Sequence, residues 1–208
     1  MSNRRVIALL VNNAGLRDDY QGNLRRGVET VCTERNLDLW VYAGRTDFSD
    51  SHGAQLRVFD LLSDARVDGI VVAAGCLATG LSVQALLGEL RARCDVPICA
   101  VGQECAGIAS VVVDNRRGSS ELGEHLIRHG KSRFAYLGGP AGHQESEQRL
   151  AGLRDALARH GLDLRENAVR YGDFLERSGA EAMRRLLADG QGFDAIVAAN
   201  DHMARGAR

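Results

Sequence analysis

Arg149 is the residue best suited to chemistry in this chain. It stands three residues after Ser146 and three before Gly152, where a polar loop enters a helical pattern. A planar guanidinium in that position can donate paired hydrogen bonds to vicinal hydroxyls or to a carboxylate. Other polar residues cluster where apolar runs end: Asp114-Asn115 after Ser110–Val113, Asn200-Asp201 after Ile196–Ala199, and Asn12-Asn13 after Val6–Val11. Tyr20 follows shortly after the asparagine pair and offers a ring face to a sugar or a base. Gly75 and Cys76 end a third apolar run. Side chains at the carboxyl ends of parallel strands are where open α/β sheets hold their ligands. Asn12, Asn13, Tyr20, Gly75, Cys76, Asp114, Ser146, Arg149, Asn200 and Asp201 are therefore the candidate ligand-binding residues.

Each has a structural alternative. Arg149 suits a solvated helix start, Tyr20 suits helix-start packing, and Gly75 suits a simple turn. Asp114 or Asn115 suits a helix N-cap, and so does Asp201, whose carboxylate can accept backbone N–H bonds. Since Asp201 has that duty available, Asn200 is expected to be the better ligand group of the two.

Other chemistries are poorly supported. Glu121, His125 and His129 are spaced four apart, but no H-E-x-x-H pattern occurs, and a solvated helix face is the expectation. Five cysteines without a C-x-x-C pair read as reduced thiols, and Cys94, Cys99 and Cys105 match no standard zinc spacing. No metal or cofactor is expected. Gly138-Gly139-Pro140-Ala141-Gly142 fits no phosphate-loop pattern, and Pro140 lacks the N–H such a cradle needs. A G-x-S-x-G nucleophile elbow is also missing.

The elements that must position these residues alternate along the chain. Strand signals at Val6–Val11, Leu37–Tyr42, Gly69–Ala74, Ile98–Val101 and Ser110–Val113 are separated by helical stripes. The stripes are Leu24/Val28/Val31, Leu56/Phe59/Leu62 and Val83/Leu86/Leu87/Leu90. A helix over Arg116–His129 stops at Gly130. Strands follow at Phe134–Leu137, Ala168–Tyr171 and Ile196–Ala199, with stripes at Leu150/Leu153/Leu157 and Ala180/Met183/Leu186/Leu187. Repeated βα units predict an α/β protein with parallel sheets. The expected division falls after Gly130-Lys131, giving an N-terminal lobe over 1–131 and a C-terminal lobe over 132–208. The 208 residues are 45% hydrophobic and 25% charged, with a net charge of −1. That composition supplies a core but no basic stripe of the kind nucleic acid attracts. No apolar run is long enough to span a bilayer, and no secretory h-region precedes the first strand. A cytoplasmic location is the expectation.

Taken in order, these motifs resemble the effector-binding domain of LacI/GalR-type regulators. The carriers are Asp114-Asn115, then His125-Leu126-Ile127-Arg128-His129-Gly130, then Gly138-Gly139-Pro140. After them come Ser146-x-x-Arg149-x-x-Gly152 and Ala199-Asn200-Asp201-His202-Met203-Ala204-Arg205-Gly206-Ala207. The resemblance implies two Rossmann-like lobes of the periplasmic binding protein-like type I, joined by crossovers, with a ligand cleft between them. It implies that Arg149 binds ligand hydroxyls, that Tyr20 flanks the ligand, and that lobe closure carries the signal. It also implies a homodimer.

Only Met1–Arg5 precede the first strand. DNA contact is thus expected only through a helix-turn-helix absent from this chain, or else the sensor feeds another output such as a kinase or cyclase. Further elements follow the Asn-Asp helix in the family, so the C-terminal lobe is expected to be incomplete. The expected function is non-enzymatic sensing of a small polar effector, sugar or nucleoside-like. The alternatives are a Rossmann-like nucleotide-dependent enzyme, disfavoured by the single glycine in Asn12-Asn13-Ala14-Gly15, and a dimerisation module that binds nothing.

Overall fold

The computed structural model describes residues 4–13, 20–44, 61–62, 66–77, 83–190 and 192–208. Two compact units divide the chain, Met1–Val112 and Val113–Arg208.

In the first unit β1 (Val6–Val11) leads to α1 (Tyr20–Glu34) and β2 (Asp38–Ala43). After β3 (Gly69–Val72) come a single helical turn, α2 (Ala74–Leu77), then α3 (Val83–Arg93), β4 (Ile98–Val101) and β5 (Ala109–Val111). The strands form one parallel sheet in the order β2-β1-β3-β4-β5. Alternation along β1 sends Ala8 and Leu10 into one core cluster with Leu86, Leu87 and Leu90 of α3. Leu9 and Val11 enter a second cluster, against Leu24 and Val28 of α1. A strand buried on both faces must be apolar throughout, as β1 is. Val31, expected on the buried stripe of α1, is exposed, and Cys32 is buried in its place. The helix expected around Leu56–Leu62 lies outside the described residues apart from Leu61 and Leu62, which are helical.

The second unit begins with α4 (Asn115–Arg128) and continues through β6 (Phe134–Gly138), α5 (Gln144–Arg159), a 3-10 turn (Glu166–Ala168) and β7 (Val169–Tyr171). It ends with α6 (Glu176–Ala188), β8 (Ala195–Ala198) and α7 (Asp201–Gly206). Its parallel sheet runs β7-β6-β8. The sequence placed α4 in the first lobe, with the division after residue 131. The structure divides the chain before α4, because that helix packs its buried face on α5. A Cβ on Gly123 would lie 2.8 Å from the Ala156 Cβ, and one on Gly152 would lie 2.0 Å from the Arg116 carbonyl oxygen. The two helices meet backbone to backbone at Gly152, so no larger residue fits there.

Leu150, Leu153 and Leu157 are buried as their spacing predicts. On α6 the buried face is Gly179, Ala182 and Leu186, whereas Leu187 is exposed. Tyr136 is fully buried on β6 and donates its hydroxyl to the Ser146 carbonyl at 3.3 Å. Burial pushes its pKa up to about 12, with partial relief from the nearby Arg149 charge and that hydrogen bond.

Candidate functional site: the strand ends of the second unit

Two helices of the second unit, α4 and α7, have starts capped by a side chain, Asp114 and Asn200 respectively. Asp114 caps α4, its Oδ1 accepting the Arg117 N–H at 3.0 Å. Asn115, the next residue, is 5% exposed. Its Nδ2 donates to the Val113 carbonyl at 3.2 Å and to Glu145 Oε1 at 3.4 Å, leaving Oδ1 to accept from elsewhere.

That other donor is Arg149. Its Nε donates to Asn115 Oδ1 at 2.8 Å, and its Nη1 to the Ala199 carbonyl at 2.6 Å. Its Nη2 lies 3.7 Å from Glu145 Oε1, one helical turn back. The guanidinium thus ties the start of α4, the first turns of α5 and the end of β8 together. The Arg149 side chain remains 26% exposed and that of Glu145 14%. Asp114, Asn115, Gly118, Arg149 and Ala199 line one depression of about 240 Å³ together with Leu122, Val197 and Ala198. Polar groups set among apolar ones suit a ring that carries hydroxyls.

The cap expected of Asp201 falls to Asn200. Asn200 is the cap of α7. Its extended backbone (φ −153°, ψ 174°) puts Oδ1 2.9 Å from the Met203 N–H. Its Nδ2 donates to the Phe174 carbonyl at 2.9 Å. Asp201 is the first helical residue and is exposed.

Ser146 departs further from expectation. It is fully buried, and its Oγ accepts the Gly139 N–H at 2.9 Å. The hydroxyl holds the end of β6 against α5 from inside the fold, because its position on α5 faces the sheet.

Phe174 is a residue the sequence did not single out. It adopts φ +68°, a strained backbone for a bulky side chain. Its ring covers Gly139, where a Cβ would lie 2.1 Å away, and meets the His143 ring edge-on at 5.0 Å. Glycine at 139 is the condition for that placement. Glu145 and Asn115 were also outside the expected set. Their signal was weak, because a helix-start acid and a capping-type asparagine both have ordinary roles.

The candidates in the first unit gather at the ends of its own strands. The N–H groups of Asn12 and Asn13 both donate to Gln21 Oε1, at 2.7 and 3.0 Å. Tyr20 opens α1 half exposed. A Cβ on Gly102, just past β4, would lie 3.4 Å from the Tyr20 hydroxyl and 3.5 Å from the Gly75 nitrogen. Gly75 and Cys76 do not end β3, which stops at Val72. They sit in α2, where the Ala73 carbonyl accepts the N–H groups of Cys76 and Leu77.

On α4, Glu121 pairs with Arg117 at 2.8 Å, and the His125 and His129 rings lie 4.5 Å apart. Among the described residues no group of three His, Cys, Asp or Glu is placed to hold a metal.

Comparison with known proteins places this architecture. Residues 46–208 match the profile of the family described as periplasmic binding proteins and sugar binding domain of LacI family. The chain is 42% identical over 205 residues to the HTH-type transcriptional regulator AscG of Escherichia coli K12, covering 98% of this chain and 58% of that protein. It is 27% identical over 209 residues to catabolite control protein A of Staphylococcus xylosus, covering 99% of this chain and 60% of that one. A solved structure described as a transcriptional regulator CelR–cellobiose complex superposes with a TM-score of 0.80 at 29% identity, over 99% of this chain and 62% of that one. The chain therefore spans about three-fifths of the length of these relatives. With parallel α/β sheets in both units and a profile match over most of its length, the chain belongs to the family of periplasmic binding proteins and LacI-type sugar-binding domains.

Proposed function

We propose that this chain is the effector-binding sensor domain of a LacI/GalR-type transcriptional regulator, and that it binds a sugar or nucleoside-like polyol. The observation that carries the reading is the setting of Arg149. Its guanidinium is held in place by Asn115 and Ala199 and opens onto a depression beside the strand ends. A pre-oriented guanidinium donates to hydroxyls without first losing side-chain freedom. Asp114, which lines the same depression, supplies an acceptor for the same hydroxyls. CelR, whose structure is described as a cellobiose complex, supports a sugar in particular.

In the interlobe arrangement the resemblance implies, Asn12, Asn13, Tyr20, Gly75 and Cys76 would complete the ligand shell from the first unit. Ligand binding would bias an open–closed equilibrium by its differential affinity for the two states. The output would be DNA binding by a helix-turn-helix outside this chain, in a cytoplasmic homodimer, without turnover of the ligand. The relatives named above are regulators, and no observation here favours a nucleotide-dependent enzyme.

The test is a thermal-shift and calorimetric screen of mono- and disaccharides, nucleosides and purines. Saturable binding of a polyol by the wild type, lost in Arg149→Ala, is the expected result. A folded protein that binds none of them would overturn the reading.

A further inference from the structure

Given the reading of Arg149 as the ligand anchor, we infer that this site takes uncharged polyols and refuses phosphorylated or carboxylated ones, and that Glu145 sets the choice. An arginine at a strand end would ordinarily attract an anion. Here its charge is already answered. Glu145 Oε1 lies 3.7 Å from Arg149 Nη2 and also accepts from Asn115 Nδ2 at 3.4 Å, so the carboxylate is held in place from two sides. Both side chains are largely covered, which limits the screening of their mutual field by salt. Nε and Nη1 of Arg149 are committed to Asn115 and Ala199, and Nη2 faces the carboxylate. A phosphate in the depression would face the Asp114 carboxylate that lines it together with Arg149, and the Glu145 carboxylate stands 3.7 Å from Nη2.

The helix starts do not restore an anion site. Asp114 caps α4 and Asn200 caps α7. Glu145 and Glu147 both lie in the first turn of α5, and Glu147 takes the Gly142 N–H at 3.3 Å. Acidic groups therefore already stand at these positive ends, Asp114 at α4, Glu145 and Glu147 at α5, and Asp201 behind the Asn200 cap of α7. A sugar hydroxyl is different, because it both donates and accepts. It can give its proton to the Asp114 carboxylate while receiving one from Arg149, which a phosphate dianion cannot do.

The experiment uses matched pairs: glucose with glucose 6-phosphate, galactose with galactose 6-phosphate, and fructose with fructose 1-phosphate. Calorimetry is run on the wild type, Glu145→Gln and Glu145→Ser, with circular dichroism melts to establish that each variant is folded. The wild type is expected to bind the neutral member of at least one pair and its phosphate on the order of tenfold more weakly or worse. Either substitution should narrow or reverse that ratio by about tenfold. A wild type that binds a phosphate as tightly as its neutral partner overturns the selectivity while leaving the sugar site standing. So does an unchanged ratio in both folded variants. Failure of every probe with every folded protein overturns the sugar site itself, and the selectivity with it.

Discussion

Arg149 Nε and Asn115 Oδ1 lie 2.8 Å apart across 34 residues of sequence, and neither side chain is satisfied without the other. Asn115 is almost fully buried, so the guanidinium serves the fold besides the ligand role proposed for it. Arg149→Ala should abolish polyol binding and also lower stability by about 1–3 kcal/mol, because Asn115 Oδ1 and the Ala199 carbonyl lose a donor. Arg149→Lys should not rescue binding, since an ammonium cannot reproduce the fork. Calorimetry and urea unfolding on the same samples separate the two losses; a fully stable Arg149→Ala protein would contradict the bracing role.

Asn200 holds two carbonyl-end elements at once. Asn200→Ala should cost about 1–2 kcal/mol through the lost cap of α7 and the lost tie to Phe174. Asn200→Asp keeps a capping oxygen but loses the donor to the Phe174 carbonyl, so it should fall between. Denaturant midpoints for the three proteins check the order, and Asn200→Asp matching the alanine variant would leave capping without a role.

Gly152→Ala places a methyl 2.0 Å from the Arg116 carbonyl oxygen. No rotamer escapes a backbone clash, so α4 and α5 must separate. A loss of about 1–3 kcal/mol is expected. Gly118→Ala on α4, the partner helix, with nothing within 4 Å of the new Cβ, is the control and should be neutral or slightly stabilising. Equal stabilities of the two variants in urea would refute the close crossing.

Acid should weaken the second unit through three carboxylates. The His160 hydrogen bond, followed by that from Arg159, holds Glu124 below the usual range. The Arg116 fork does the same for Asp155, with Nε at 2.6 Å and Nη2 at 3.0 Å. The Arg133 N–H, followed by that of Ser132, does so for Asp194. Groups with depressed native pKa values contribute stability above the ordinary carboxylate pKa of about 4 and lose it as pH falls through the native value. All three are solvent-accessible pairs, so each effect is small. Urea midpoints from pH 7 to pH 3 should fall below about pH 4.5, and Asp155→Asn should flatten part of that slope. Midpoints independent of pH in that window would show that these pairs do not matter to folding.

Much of this was legible in the chain because the relevant signals are local. Strand and helix alternation, the Gly130 stop and the Asp114 cap all arise from residues within a few positions of each other. That Asn200 and not Asp201 caps α7 was not legible, since both residue types cap helices and only the extended backbone at Asn200 decides between them. Ser146 looked like a ligand group by type, and its burial depends on which side of α5 faces β6. Phe174 and Glu145 were invisible because their roles rest on partners brought near by packing. The ring of Phe174 has its place only because residue 139 lacks a side chain. The division of the chain was misplaced by the strength of the Gly130 stop, which marks the end of a helix without marking the end of a unit.

The contact between α6 and α7 resembles that between α4 and α5. A Cβ on Gly179 would lie 2.3 Å from the Met203 carbonyl oxygen, and one on Gly206 would lie 1.8 Å from that of Glu176. Two rods touching main chain to main chain have no compressible layer between them. A side chain at either glycine would have to prise the two rods apart, so the pair can seat against each other only where both positions stay bare.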